Sequence, residues 1–283
     1  MSPRILLFLS LACAWGQTPV PPGRMVDVGG YRVHLNCTGA GSPTVMIVGA
    51  GFSVDWALVQ PEVAKFTTVC TYDASGTAWS DKGPVLDCRG RVHEIHRLLQ
   101  AAQLKPPYVL VGLSIGACVA RLYAAEYRAE VAGMAIVDHA FSPDPDPDAG
   151  KISPNFAGLD SPPRLLEQTP IEFTVEDISH FERLPQRAQE LHRWAMSLHP
   201  KLPQWEDAED CLAQLRNAPS LGDLPLVVVS TGNDARGYAR LQSQLLALSR
   251  RSSQMIAERS FHAVEIDQPE VVIAAIRHVL RMI

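Results

Sequence analysis

A serine with glycine two positions away on either side, Gly112-Leu113-Ser114-Ile115-Gly116, follows directly on the apolar run Tyr108-Val109-Leu110-Val111. The pattern places Ser114 where a strand turns sharply into a helix, with its hydroxyl exposed at the strand end. Such a turn presses the residues two positions away against the backbone, and only very small ones fit there. A serine hydroxyl is a weak nucleophile until a neighbouring base removes its proton. In chains of this motif class the histidine comes last, after the final strand. Ser260-Phe261-His262 sits there, between a strand read at 254–258 and a helix read from Pro269. The chemistry is acyl transfer, and its oxyanion needs two backbone N–H donors. One is Ile115, the residue after the nucleophile; the other is Phe52, closing the loop Gly49-Ala50-Gly51-Phe52 after the third strand.

The elements that must position these residues follow from hydrophobic periodicity. Met25–Val28 and Tyr31–Leu35 are short apolar alternations joined by Gly29-Gly30, a β-hairpin signal. Buried strands are read at 44–48, 67–72, 108–111, 131–137 and 226–230, and helices at 56–66, 92–102, 115–126 and near 239–248. Regular β-α-β alternation predicts a mostly parallel, doubly wound sheet with helices on both faces. The alternation breaks between about 141 and 224, where Pro143-Asp144-Pro145-Asp146-Pro147 opens a segment of polar helical stretches. That segment reads as a helical cap inserted at the carboxyl ends of the strands, the edge where open α/β sheets bind ligands. Of the remaining histidines, His93 and His96 read as a solvated helix face rather than metal ligands. His180, His192 and His199 fall in the cap, within reach of substrate or of nothing.

From Tyr31 to the C-terminus the chain resembles the α/β-hydrolase family, of the capped, esterase- and lipase-like kind. The residues that carry the resemblance are Tyr72-Asp73 with Ser80-Asp81, Pro107 to Gly112, Arg121-Leu122-Tyr123-Ala124-Ala125, and Asp267-Gln268-Pro269. The resemblance implies a serine hydrolase, with a carboxylic ester as the substrate most common on this fold. Amide, lactone or C–C cleavage by the same residues is the alternative, and a non-catalytic binding protein the rival from another class. Epoxide hydrolases and haloalkane dehalogenases share the fold with an aspartate nucleophile, which Ser114 argues against. The chain departs from the common pattern at Ala50, Leu113 and Phe261, where His, His and Gly often stand; the substrate therefore stays open. The resemblance also implies a triad acid after the strand before the last. There Leu226–Ser230 leads into Thr231-Gly232-Asn233-Asp234, so Asp234 is the choice. Asp138, ending the strand at 131–137, is its competitor, with loop-amide binding as its plainer role. In the sheet of this family the strands carrying Cys37 and Cys70 are neighbours, which implies a Cys37–Cys70 disulfide, two buried thiols being the alternative. Cys88 and Cys211 have no argued partner.

The 283 residues, 47% hydrophobic and 19% charged, are enough for one full core. A net charge of −5 gives no reason to expect nucleic acid or an anionic membrane as partner. A small-molecule substrate is the expected partner, and no cofactor or metal is called for: no CxxC pair occurs. Arg4, the apolar run Ile5–Trp15 and the small residues Ala14 and Gly16 read as a secretory signal peptide over 1–16, too short to span a bilayer. The hydrolase domain then runs over 17–283, and the mature protein lies outside the cytoplasm, secreted or periplasmic. Export removes Cys13 and leaves five cysteines, an odd number that implies at least one free thiol.

Overall fold

The structure, a computed structural model, describes residues 18–49, 51–139, 180–198, 206–232, 242 and 244–283. The segment read as a signal peptide (1–16), most of the first half of the segment read as a cap, His199, Asp234 and part of the helix read near 239–248 therefore lie outside the described residues.

Eight strands form one sheet in the order β1-β2-β4-β3-β5-β6-β7-β8. The hairpin read around Gly29-Gly30 is β1 (Arg24–Asp27) and β2 (Arg32–Thr38). β2 runs antiparallel to both β1 and β4 (Val69–Asp73), and every other pairing is parallel. The parallel strands β3 (Thr44–Val48), β5 (Tyr108–Leu113), β6 (Val131–Val137) and β7 (Leu226–Thr231) are almost unbroken Val/Ile/Leu runs, as strands covered on both faces must be. β8 (Ser252–Ala257) closes the far edge with a half-exposed pattern.

Side chains alternate across the sheet, so each strand feeds two cores. On one face Met46, Leu110, Met134 and Val228 meet α2 (Cys88–Ala101) and α3 (Ile115–Glu126). On the other, Val45, Val109, Ala135 and Val227 meet the C-terminal helix through Val272, Ala275, Ile276 and Val279. The helix read over 56–66 is instead two short pieces: a 3₁₀ turn Ser53–Trp56 and α1 (Gln60–Val63), with Pro61 in the first turn of α1. Between β6 and β7 the described residues include α4 (Gln186–Leu198) and α5 (Glu206–Leu215). α4 packs on the 3₁₀ turn Ser53–Trp56, whereas α5 lies against α2 and α3. After β8 come α6 (Val264–Asp267) and α7 (Pro269–Met282).

Candidate active site

Ser114 lies between β5 and α3 with φ 53° and ψ −124°, a conformation that side-chain-bearing residues rarely adopt. Its N–H donates to Val137 O at 3.1 Å, which holds the turn against the end of β6. The flanking glycines are sterically required. A Cβ on Gly112 would stand 2.5 Å from Ala117 Cα, and one on Gly116 would overlap the Val48 carbonyl. Ile115 opens α3, where the first N–H groups have no acceptor within the helix.

His262 follows β8 and sits over the same strand ends. Its Nδ1 is 2.6 Å from Asp138 Oδ2, with the two side chains 27% and 4% exposed. The carboxylate is an acceptor, so Nδ1 carries the proton and Nε2 has the lone pair. The carboxylate on the histidine is thus that of Asp138, whereas the sequence pointed to Asp234, which lies outside the described residues. Asp138 is placed by its backbone: β6 is parallel to β5 with Val137 opposite Leu113, so the residue after each strand sits beside the other. Its φ is +38°, and its N–H donates to Val229 O at 2.8 Å. Its second oxygen accepts from Gln242 Nε2 at 2.8 Å and Thr231 Oγ1 at 3.3 Å. Next to it, His139 Nδ1 donates to the Ser114 carbonyl at 2.9 Å, joining the Asp138 loop to the serine's turn. The motif carried no signal for His139 or Gln242.

The loop bearing His262 is fastened by Asp267, a fully buried carboxylate that accepts from Phe261 N at 2.6 Å. The same side chain accepts from His180 N at 2.7 Å and lies 3.0 Å from His180 Nδ1, tying in the chain ahead of α4. The Asp267-Gln268-Pro269 phrase was visible in the sequence, but its role is legible only in these contacts.

The oxyanion loop differs from the simplest expectation. Phe52 N–H donates to Asp55 Oδ2 at 2.8 Å. Phe52 heads the turn Ser53–Trp56, and an acidic residue three positions on reaches back to such an N–H. Asp55 also holds His192 of α4, Oδ1 to Nδ1 at 2.7 Å, and the His192 ring meets Phe52 edge-on with centroids 5.3 Å apart. Ser53 N–H is likewise taken, by Asp73 Oδ1 at 2.8 Å. One hydrogen serves one strong acceptor at a time. Phe52 N–H is therefore available to an oxyanion only when Asp55 turns away.

The sequence profile described as "Alpha/beta hydrolase family" matches residues 34–275. The chain belongs to the alpha/beta hydrolase family. The protein YqjL of Bacillus subtilis (strain 168), named as uncharacterized, is 24% identical over 260 residues, 88% of this chain and 88% of its own length. A meta-cleavage product hydrolase from Pseudomonas fluorescens IP01, solved as a serine-to-alanine mutant complexed with acetates, shares the fold at a TM-score of 0.66 with 16% identity, covering 92% of this chain and 98% of that one. A thermophilic esterase from Thermogutta terrifontis does so at 0.63 with 20% identity, covering 89% and 93%.

In this hydrolase a cavity of about 50 Å³ adjoins the turn, with Phe52, Ile115, Gly116, Val119, Tyr72 and Arg91 among its lining residues. Cys88 and Cys211, left without partners by the sequence, are joined in its wall, linking α2 to α5. Cys37 and Cys70 face each other across β2 and β4 and are bonded to one another. Cys118 stands buried one turn after Ser114, and burial pushes its thiol up to about 12, so it is no second nucleophile. His93 and His96 of α2 meet Glu126, the last residue of α3, at 2.6 Å and Glu130, beyond that helix, at 3.2 Å. Among the described residues no three potential ligands gather into a metal site.

Proposed function

We propose that this hydrolase cleaves a carboxylic ester of a small molecule through an acyl-enzyme, with Ser114 as nucleophile, His262 as base and Asp138 as the acid. The observation that supports this most is the His262–Asp138 contact at the end of the strand beside Ser114. Ser114 Oγ attacks the ester carbonyl carbon while His262 Nε2 takes its proton. The tetrahedral oxyanion is held by Ile115 N–H, with Phe52 N–H joining once Asp55 swings aside. The C–O bond then breaks, and the alcohol leaves with the proton from His262. Water, deprotonated by the same histidine, cleaves the acyl-enzyme and releases the acid. The polar segment between β6 and β7 forms the cap, and the described part of it bears on the site through His180 and His192.

A fluorophosphonate probe should label Ser114 in the wild-type protein, with the adduct mapped by mass spectrometry and lost in Ser114→Ala. Labelling at another residue, or none, sinks the reading. We place the mature chain outside the cytoplasm. The N-terminal apolar run supports this, and so do the two cysteine pairs, which an oxidising compartment would maintain. N-terminal sequencing of protein from its native host should begin near Gln17; a chain that still begins at Met1 or Ser2 refutes it.

A further inference from the structure

His34 and Asp73 form a second imidazole–carboxylate pair, apart from that of His262 and Asp138, and no step of the reaction above uses it. Both side chains are fully buried, with His34 Nδ1 2.7 Å from Asp73 Oδ2. The antiparallel register of β2 and β4 sets the two residues opposite each other. Ser80 pins the backbone at both: its Oγ accepts from His34 N–H at 2.9 Å and donates to the Asp73 carbonyl at 2.6 Å. His34 Nε2 meets the carbonyl of Pro22, in the segment ahead of β1. Each ring nitrogen thus faces an oxygen that can only accept.

Asp73 carries this pair to the loop after β3. Its Oδ1 accepts from Ser53 N–H at 2.8 Å and its Oδ2 from Ser53 Oγ at 3.1 Å. The Ser53 N–H belongs to the peptide that joins it to Phe52, so a clamp on Ser53 fixes the backbone on one side of the Phe52 N–H. The Trp79 ring lies 4.9 Å from the His34 ring and shares an apolar cluster with Phe52. Trp79 Nε1 in turn donates to the Pro19 carbonyl at 2.7 Å. His34 is therefore joined to the oxyanion loop through Asp73 and to the segment ahead of β1 through Pro22.

We propose that His34 is a positioning residue for the oxyanion loop: its bond to Asp73 orients the carboxylate that clamps Ser53, and so sets where Phe52 N–H points. The proposal rests on the serine-hydrolase reading and deepens it. Without the His34 donor, the Asp73 carboxylate can turn about its Cβ–Cγ bond and exchange its oxygens between the two Ser53 donors. The clamp then holds Ser53 in more than one arrangement, and the oxyanion donor beside it is less well aimed. A bond that merely fastened the segment ahead of β1 would act through Pro22 instead.

Asparagine and glutamine divide the two bonds. The amide nitrogen of Asn reaches the place of Nδ1, and that of Gln the place of Nε2. His34→Asn therefore keeps a donor to Asp73 and gives up Pro22, whereas His34→Gln does the reverse. Losing an oxyanion donor outright costs roughly 10²–10³ in kcat, so a donor left in place but loosely aimed should cost about tenfold. With p-nitrophenyl butyrate, His34→Gln should lower kcat by about that factor with KM within about twofold of the wild type, and His34→Asn should recover most of the loss. A kcat in His34→Gln within about twofold of the wild type overturns the proposal, and so does a kcat in His34→Asn as low as in His34→Gln. Fluorophosphonate labelling of Ser114 keeps the two levels apart: without labelling the serine-hydrolase reading fails, and the proposal with it. Labelling of Ser114 together with an unaffected His34→Gln overturns the proposal alone. If His34→Gln does not fold, Ser53→Ala decides, because it cuts the hydroxyl bond to Asp73 from the other side. A lowered kcat at unchanged KM supports the proposal, and an unchanged kcat overturns it.

Discussion

Replacing Asp138 by Asn tests the site at the point where sequence and structure part. Oδ1 of Asp138 accepts from Gln242 and Thr231, and Oδ2 faces His262 Nδ1. An asparagine there must keep its carbonyl toward the two donors, which turns its NH₂ toward His262. Nδ1 then has to accept, the ring proton moves to Nε2, and Nε2 can no longer serve as the base for Ser114. Two losses add. The carboxylate no longer stabilises the imidazolium, worth about 4 kcal/mol for unit charges about 4 Å apart at an effective dielectric of about 20. Asp138 is 4% exposed, so water screens the pair little. The wrong tautomer adds roughly another factor of ten, bringing the total near 10⁴ in kcat, the usual scale for this change. The assay is hydrolysis of p-nitrophenyl butyrate with a thermal melt alongside, since the substitution is isosteric and should leave Tm within a few degrees. If Asp138→Asn keeps more than a tenth of the wild-type rate while Asp234→Asn is dead, the assignment of the acid is wrong.

Ser114→Gly should abolish turnover yet raise Tm by a few degrees, because glycine removes about 1 kcal/mol of strain at φ 53°; an unchanged or lower Tm would show the turn unstrained. Cys37→Ser with Cys70→Ser opens a link between positions 33 apart, and urea titration should show about 3–4 kcal/mol less stability; a loss under 1 kcal/mol would mean that the link constrains little. Burial, with Asp55, Asp267 and Asp138 nearby, raises Glu265 well above its ordinary 4.5. The folded state therefore holds a proton that the unfolded state has lost. Stability from this group is full below about pH 4.5 and declines as pH rises toward the folded value, at up to about 1.4 kcal/mol per unit. Glu265→Gln should flatten that decline between pH 5 and pH 8, and parallel stability curves for the two proteins would contradict it.

The parallel core was legible because its strands are covered on both faces and read as unbroken apolar runs: 44–48 and 131–137 stand as read, and β5 and β7 run slightly longer than their predicted ranges. Helix 56–66 was misread because Trp56, Val59 and Val63 keep helical spacing while Pro61 falls in the first turn of a separate helix. The two serine-side glycines were legible because backbone steric demand acts within five residues. The choice between the two carboxylates was not, for a geometric reason. β6 and β7 are adjacent and parallel, so the residues after them stand about one strand spacing, 4.8 Å, apart. A carboxylate from either could reach one imidazole, and sequence spacing alone does not choose. What favours Asp138 is a set of long-range partners, Gln242 and Thr231, more than ninety positions away.

The oxyanion loop shows the same limit from another side. Its glycines said that backbone approaches substrate here, but the state of Phe52 N–H depends on a side chain three residues on and a histidine 137 positions from Asp55. Asp55 and His192 are both buried, and His192 Nε2 is an orphaned polar atom. A buried nitrogen without a partner carries a desolvation cost of roughly 1–3 kcal/mol, so this arrangement is held by its surroundings rather than by its own bonds. Those surroundings are the rings of Phe52 and Phe181 and the packing of α4 on the turn Ser53–Trp56. Asp55 therefore joins α4 to the loop bearing Phe52, with one oxygen on His192 Nδ1 and the other on Phe52 N–H. α4 and the turn Ser53–Trp56 are thus held together by packing and by a single carboxylate.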